Sequence, residues 1–130
     1  MRHRGSCHCG AVKFEVDLEE SIEVEDCNCS ICNKTGFLHV ILPLSKFSLD
    51  KYGAFSEHPD LSCYQFNTGV AKHYFCKRCG IKPFYIPRSN PDGIDVNLRC
   101  LDTWPETVNI VKFDGQNWED NAARLAHKSQ

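Results

Sequence analysis

This chain has no long apolar run, no excess of one charge and no stretch with a persuasive helical period, and each absence removes a class of protein. Its longest strongly apolar stretch, Val40-Ile41-Leu42, is stopped by Pro43. That falls far short of the roughly 20 residues a membrane-spanning helix needs, so no membrane partner is expected. Lys plus Arg number 15 against 17 Asp plus Glu, for a formal charge of -2. Binding phosphates takes a concentrated positive field, so no nucleic-acid partner is expected either. The basic N-terminal residues MRHR have no apolar segment behind them, unlike a secretory signal, and a cytoplasmic location is expected. Linkers, internal repeats and low-complexity tracts are also missing. A chain of 130 residues and 14.8 kDa with 42% hydrophobic and 25% charged residues reads as one globular domain with a modest core.

Cysteine is the exception to this ordinary composition, with nine in the chain. In a reducing compartment they are poor candidates for structural disulfides, and an odd number leaves one unpaired in any scheme, so metal binding leads. Seven of the nine are clustered: Cys7 and Cys9 in CxC, Cys27, Cys29 and Cys32 in CxCxxC, and Cys76 and Cys79 in CxxC followed by Gly80. A CxxC turn brings two sulfurs to one ion at the ~2.3 Å zinc–thiolate bond length, and the glycine supplies the permissive backbone such a turn needs. Closing a tetrahedron then takes two more ligands, from the N-terminal CxC or from the central cluster. Counting thiols favours the first. With Cys7, Cys9, Cys76 and Cys79 in one saturated site, Cys27, Cys29 and Cys32 remain as three ligands from one short loop, an open site with a position for water or substrate. The competing reading is a purely structural second zinc whose fourth ligand is distant in sequence, such as Cys100.

Between the clusters the chain reads as short strands, and the expected fold is mainly β: several small antiparallel sheets organised around zinc knuckles in a single domain. AVKFEV at 11–16 alternates Val12, Phe14 and Val16 with Lys13 and Glu15, the period of a strand with one wet face. Ile22 and Val24 repeat it briefly. Segments 37–42, 62–68, 70–75, 82–86, 95–100 and 108–113 are β-branched or aromatic and punctuated by Gly, Pro, Asn or Asp. NTGV at 67–70 and DG at 92–93 and 114–115 are expected turns. The domain is expected over 1–120, with 121–130 a C-terminal tail or short helix.

Five stretches, GSCHCGAVKFEV, CNCSICNKTG, YQFNTGVAKHYFCKRCG, DVNLRCLD and FDGQNWE, together resemble the successive signatures of the glutathione-dependent formaldehyde-activating enzyme family over roughly residues 5–119. The resemblance implies a two-zinc protein with the same partition of ligands: Cys7, Cys9, Cys76 and Cys79 hold a structural zinc, and Cys27, Cys29 and Cys32 hold a second, catalytic one. It implies a carbon–sulfur lyase that forms or cleaves S-hydroxymethylglutathione, with a small-molecule thiol, glutathione, and an aldehyde, formaldehyde, as partners. Three thiolates would weaken the cation as a Lewis acid for the aldehyde, which favours capture of the substrate thiol instead. The alternative is a non-catalytic zinc-binding module for protein interaction or thiol and aldehyde sensing.

Other residues carry weaker signals. Lys34, Lys72, Arg78 and Arg99 are candidates for glutathione's carboxylates, and Asn28 and Asn97 for its peptide groups. His8 and His73 lie near ligands, yet a structural histidine is the commoner case. Trp104 and Trp118 read as core or pocket wall. Cys63 reads as a strand residue, and Cys100 as a buried thiol or reserve ligand.

Overall fold

The computed structural model describes residues 1–130. Ten strands form two sheets. The smaller has the order β1-β2-β5, from β1 (Arg2–Ser6), β2 (Lys13–Asp17) and β5 (Phe47–Leu49), with both pairings antiparallel. The larger joins β3 (Ser21–Cys27), β4 (Leu38–Pro43), β6 (Leu61–Tyr64), β7 (Lys72–Cys76), β8 (Phe84–Ile86), β9 (Gly93–Asn97) and β10 (Thr107–Phe113). Its order is β10-β3-β4-β9-β8-β7-β6. The mainly β expectation holds, but in two sheets, and β10 runs parallel to β3 in an otherwise antiparallel sheet. A short helix, α1 (Ser30–Thr35), interrupts the central cysteine cluster. The chain ends in α2 (Trp118–Asn121) and a 3-10 segment, Ala122–Ser129.

The alternation of side chains along each strand explains where everything sits. Leu38, Val40 and Leu42 of β4, Ile94 and Val96 of β9, Phe84 of β8 and Val24 of β3 face one side of the large sheet and join the main core with Val12, Phe14 and Val16. Phe14 meets Phe84 edge-on at 5.5 Å and stacks on Phe47 at 5.7 Å, which fixes the small sheet over the large one. The intervening residues point to the opposite face: Glu25 and Cys27, His39 and Ile41, Tyr85, Asp95, and His73 of β7. These are buried as well.

The C-terminal segment helps to close that second face. Leu125 packs with Cys27, Cys32, Ile41 and Phe113 in a second apolar cluster. Asn90 donates to the Leu125 carbonyl at 2.8 Å and to Ser129 Oγ at 2.9 Å, while Ser129 Oγ donates to Asp92 at 2.6 Å. Lys128 pairs with buried Glu25. A segment readable as a loose tail is therefore docked, because it supplies both an apolar anchor and a cation for an otherwise isolated carboxylate.

Two further expectations shift. DVNLRC is a strand only to Asn97, whose side-chain oxygen accepts from Arg99 N–H at 3.1 Å and turns the chain into a 3-10 segment, Leu98–Cys100. Asp114-Gly115 makes no hairpin, since β10 is followed by the 3-10 segment Gly115–Asn117.

Candidate metal centres

Cys7, Cys9, Cys76 and Cys79 converge from the β1–β2 connection and the end of β7, with all four sulfurs within 4.8 Å of one another. Cys9 Sγ lies 3.6 Å from Cys7 Sγ and 3.7 Å from Cys76 Sγ. A regular tetrahedron with ~2.3 Å zinc–sulfur bonds has edges of about 3.8 Å, whereas a disulfide would need about 2.05 Å. The spacing suits a shared ion and not a covalent bridge. Each half is a tight turn closed by a left-handed glycine: Gly10 (φ +81) donates to the Cys7 carbonyl, and Gly80 (φ +76) to the Cys76 carbonyl. Val12 N–H reaches Cys7 Sγ at 3.3 Å and Arg78 N–H reaches Cys76 Sγ at 3.4 Å, stabilising negative sulfur. Burial, and then the neighbouring Cys9, Cys76 and Cys79 thiols, push the Cys7 thiol up to about 12, a cost that a bound cation would reverse.

The central cluster sits on the other face of the large sheet. Cys27 ends β3, Cys29 is the N-cap of α1 and Cys32 lies in its first turn. Cys29 Sγ accepts from Cys32 N–H at 3.4 Å, and Gly36 (φ +66) ends the helix by donating to the Cys32 carbonyl. The three thiols share hydrogen bonds, which lower Cys29 and raise Cys32. The compact group of ligand atoms, mutually within 4.8 Å, is Cys27, Cys32 and a ring nitrogen of His39. Either cysteine-rich group could hold a metal ion.

Gly115 explains the glycine of FDGQNWE. A β-carbon there would overlap Cys27 Sγ and come within 2.9 Å of Cys29 Cβ. Gly115→Ala is expected to spread the central cluster and weaken its metal binding about tenfold or more while leaving the first centre's stoichiometry intact, as measured by competition with a chromophoric chelator. Unchanged affinity would contradict this packing argument.

Above the cluster lies a cavity of about 470 Å³, within the ~300–1,000 Å³ usual for small-molecule sites. Cys27, Cys29, Cys32, His39, His73, Tyr85, Asp95, Arg88 and Trp118 are among its lining residues. His73 is sandwiched between Phe66 (5.4 Å) and Tyr85 (4.8 Å). Its Nδ1 lies 2.6 Å from Nζ of buried Lys82, which also sits 3.9 Å from the Tyr85 ring centre. An ammonium donating to Nδ1 leaves the imidazole proton on Nε2, which has no partner. Burial, and then the Lys82 charge, drop His73 to about 4, while burial drops Lys82 to about 8.

Because His73 is held below its unfolded value, the unfolded chain binds the extra proton first, and stability falls as pH drops from about 6.5 toward 4. The full shift corresponds to about 3 kcal/mol. His73→Gln is expected to flatten this acid limb of thermal stability against pH, and an unchanged slope would show that His73 does not carry it.

Of the residues considered for substrate carboxylates, Arg78 instead pairs with Asp60 at 2.9 Å, and Lys34, Lys72 and Arg99 do not line the cavity. Arg88, in the loop between β8 and β9, does. Its guanidinium lies 3.4 Å from the Trp118 ring centre and pairs with exposed Glu119 at 3.0 Å. Asn28 braces Asp114 and Gln116, Asn97 is buried under Leu38, Lys82 and Arg99, and His8 and Trp104 are exposed. Cys63 is exposed on β6. Cys100 packs against the main core, and burial, and then Cys79, push its thiol up to about 11. It does not join the central group.

Residues 2–119 match the family described as glutathione-dependent formaldehyde-activating enzyme, and the chain belongs to that family. It is 28% identical, over 95% of its own length and 83% of the relative's, to a Halomonas elongata protein named "Putative glutathione-dependent formaldehyde-activating enzyme". It also resembles the crystal structure of a Rhodobacter sphaeroides protein at 36% identity and TM-score 0.68, over 83% of this chain and 99% of that one. No helix is long and apolar enough to cross a membrane.

Proposed function

We propose that the protein is a zinc-dependent carbon–sulfur lyase that joins glutathione to formaldehyde, or splits S-hydroxymethylglutathione, in the cavity over Cys27, Cys29 and Cys32. Cys7, Cys9, Cys76 and Cys79 hold a structural zinc in residues 1–120. The observation that carries the reading is one cavity of about 470 Å³ in which the central thiols, a cation on an aromatic shelf and an unpartnered imidazole edge meet.

Zinc at the central cluster would supply the charge that keeps a substrate thiol as a nucleophilic thiolate near neutral pH. The chain's own groups do the rest. Arg88 holds a glutathione carboxylate, exchanging its pair with Glu119, a surface ion pair worth little. His73 presents Nε2–H to the aldehyde oxygen, which gains charge as the carbon–sulfur bond forms, and Lys82 behind it keeps that proton in place. Phe66 and Tyr85 hold the ring plane.

Glutathione added to the protein is expected to raise formaldehyde consumption above the spontaneous rate and to protect the protein thermally. If it does neither, the non-catalytic module is the better description.

A further inference from the structure

We propose that His39 is a protein ligand of the central metal centre and that Asp95 is the residue that aims it. Three observations converge. First, a His39 ring nitrogen lies within 4.8 Å of both Cys27 Sγ and Cys32 Sγ. Second, Nδ1 is 2.5 Å from Asp95 Oδ2, and both side chains are almost completely buried, at 5% and 1% exposure. Third, His39 Nε2 is buried without a hydrogen-bond partner.

A carboxylate that takes Nδ1–H leaves the lone pair of a neutral imidazole on Nε2, the tautomer a metal requires, and a carboxylate behind a ligating histidine is the usual means of orienting it. The ring has little freedom to turn away. Phe37 lies 4.8 Å from its centre, Tyr85 lies edge-on at 5.9 Å, and Tyr85 Oη stands 3.3 Å from Nδ1. If His39 were only a packed core histidine, its second nitrogen would be expected to have a partner, since buried polar atoms in folded proteins nearly always do.

The consequence for the centre is a compact set of two sulfurs and one nitrogen, from Cys27, Cys32 and His39, with Cys29, which is not part of that compact set, as the fourth donor. Cys27, Cys32 and His39 are buried, and Cys29 alone is partly exposed. Substrate entry, on the lyase reading on which this step rests, then occurs where Cys29 gives way and not at a corner the protein leaves empty.

Cobalt(II) titration tests the assignment without turnover, because the four-sulfur centre serves as an internal standard. His39→Ala is expected to weaken the second equivalent by about 10-fold or more while the first is unchanged. Asp95→Asn should weaken it less. His39→Cys should restore affinity and add sulfur-to-cobalt charge-transfer absorption. Wild-type affinity and d–d bands in His39→Ala would overturn the assignment; should that variant not fold, a His39→Cys spectrum identical to wild type would do the same. A protein inactive toward glutathione and formaldehyde but altered in cobalt binding by His39→Ala would keep the ligand and lose the lyase.

Discussion

Cys76→Ser is expected to leave a chain that does not fold cooperatively and no longer retains metal at the first centre. Cys76 is fully buried and belongs to the main core as well as to the four-sulfur group. That group joins the turn after β1 to the end of β7, so it pins the small sheet to the large one across most of the sequence. Closing such a connection costs entropy, and metal binding available only to the folded state offsets it. In zinc-finger peptides such binding contributes an apparent ~10–16 kcal/mol, comparable to the ~5–15 kcal/mol by which a whole domain is stable. Serine offers a poorer, harder donor and leaves buried Cys7, with Cys9 and Cys79, on a weakened cation. Circular dichroism on heating and metal content per chain measure the outcome. A cooperative transition within about 5 °C of wild type, a shift worth roughly 1 kcal/mol, would refute a stabilising role for this centre.

How much of this was legible in the sequence depends on what kind of signal each element leaves. β2 showed through because period-two alternation survives in KFEVD, and β10 because TVNIVKF is rich in β-branched residues. RHRGS of β1 buries only His3 and Gly5 fully, so it has no apolar rhythm to detect. Phe47–Leu49 is too short to carry one. The cysteine clusters were visible because each pair or trio is local in sequence. His39 was not, since a lone histidine inside an apolar run has no spacing to mark it, and its link to Asp95 spans 56 residues. Glu25 and Asp95 left no signal for another reason: each lies in a short strand segment, and only the folded chain shows the C-terminal segment helping to cover their face of the sheet.

Cys29→Ser is expected to reduce glutathione-dependent formaldehyde turnover to the spontaneous rate while the protein melts as wild type does. The asymmetry with Cys76 follows from where the two sulfurs sit. Cys29 is partly exposed and outside the main core, so replacing sulfur with oxygen there removes little buried surface. Its other duty, capping α1, is one that serine performs well, and Gly36 still ends the helix. Loss of turnover in this variant therefore cannot be assigned to an unravelled α1, which separates chemistry from structure more cleanly than alanine would. Oxygen is the wrong donor for a site built from thiolates, so the centre holds its cation more weakly and activates the incoming substrate sulfur less. Because Cys27, Cys32 and His39 remain, Cys29→Ser should keep part of its metal at the second centre, whereas Cys32→Ser, which loses a buried donor, should keep almost none. Full turnover in Cys29→Ser, or equal unfolding of Cys29→Ser and Cys76→Ser, would remove the division between a centre that holds the fold and one that handles the substrate.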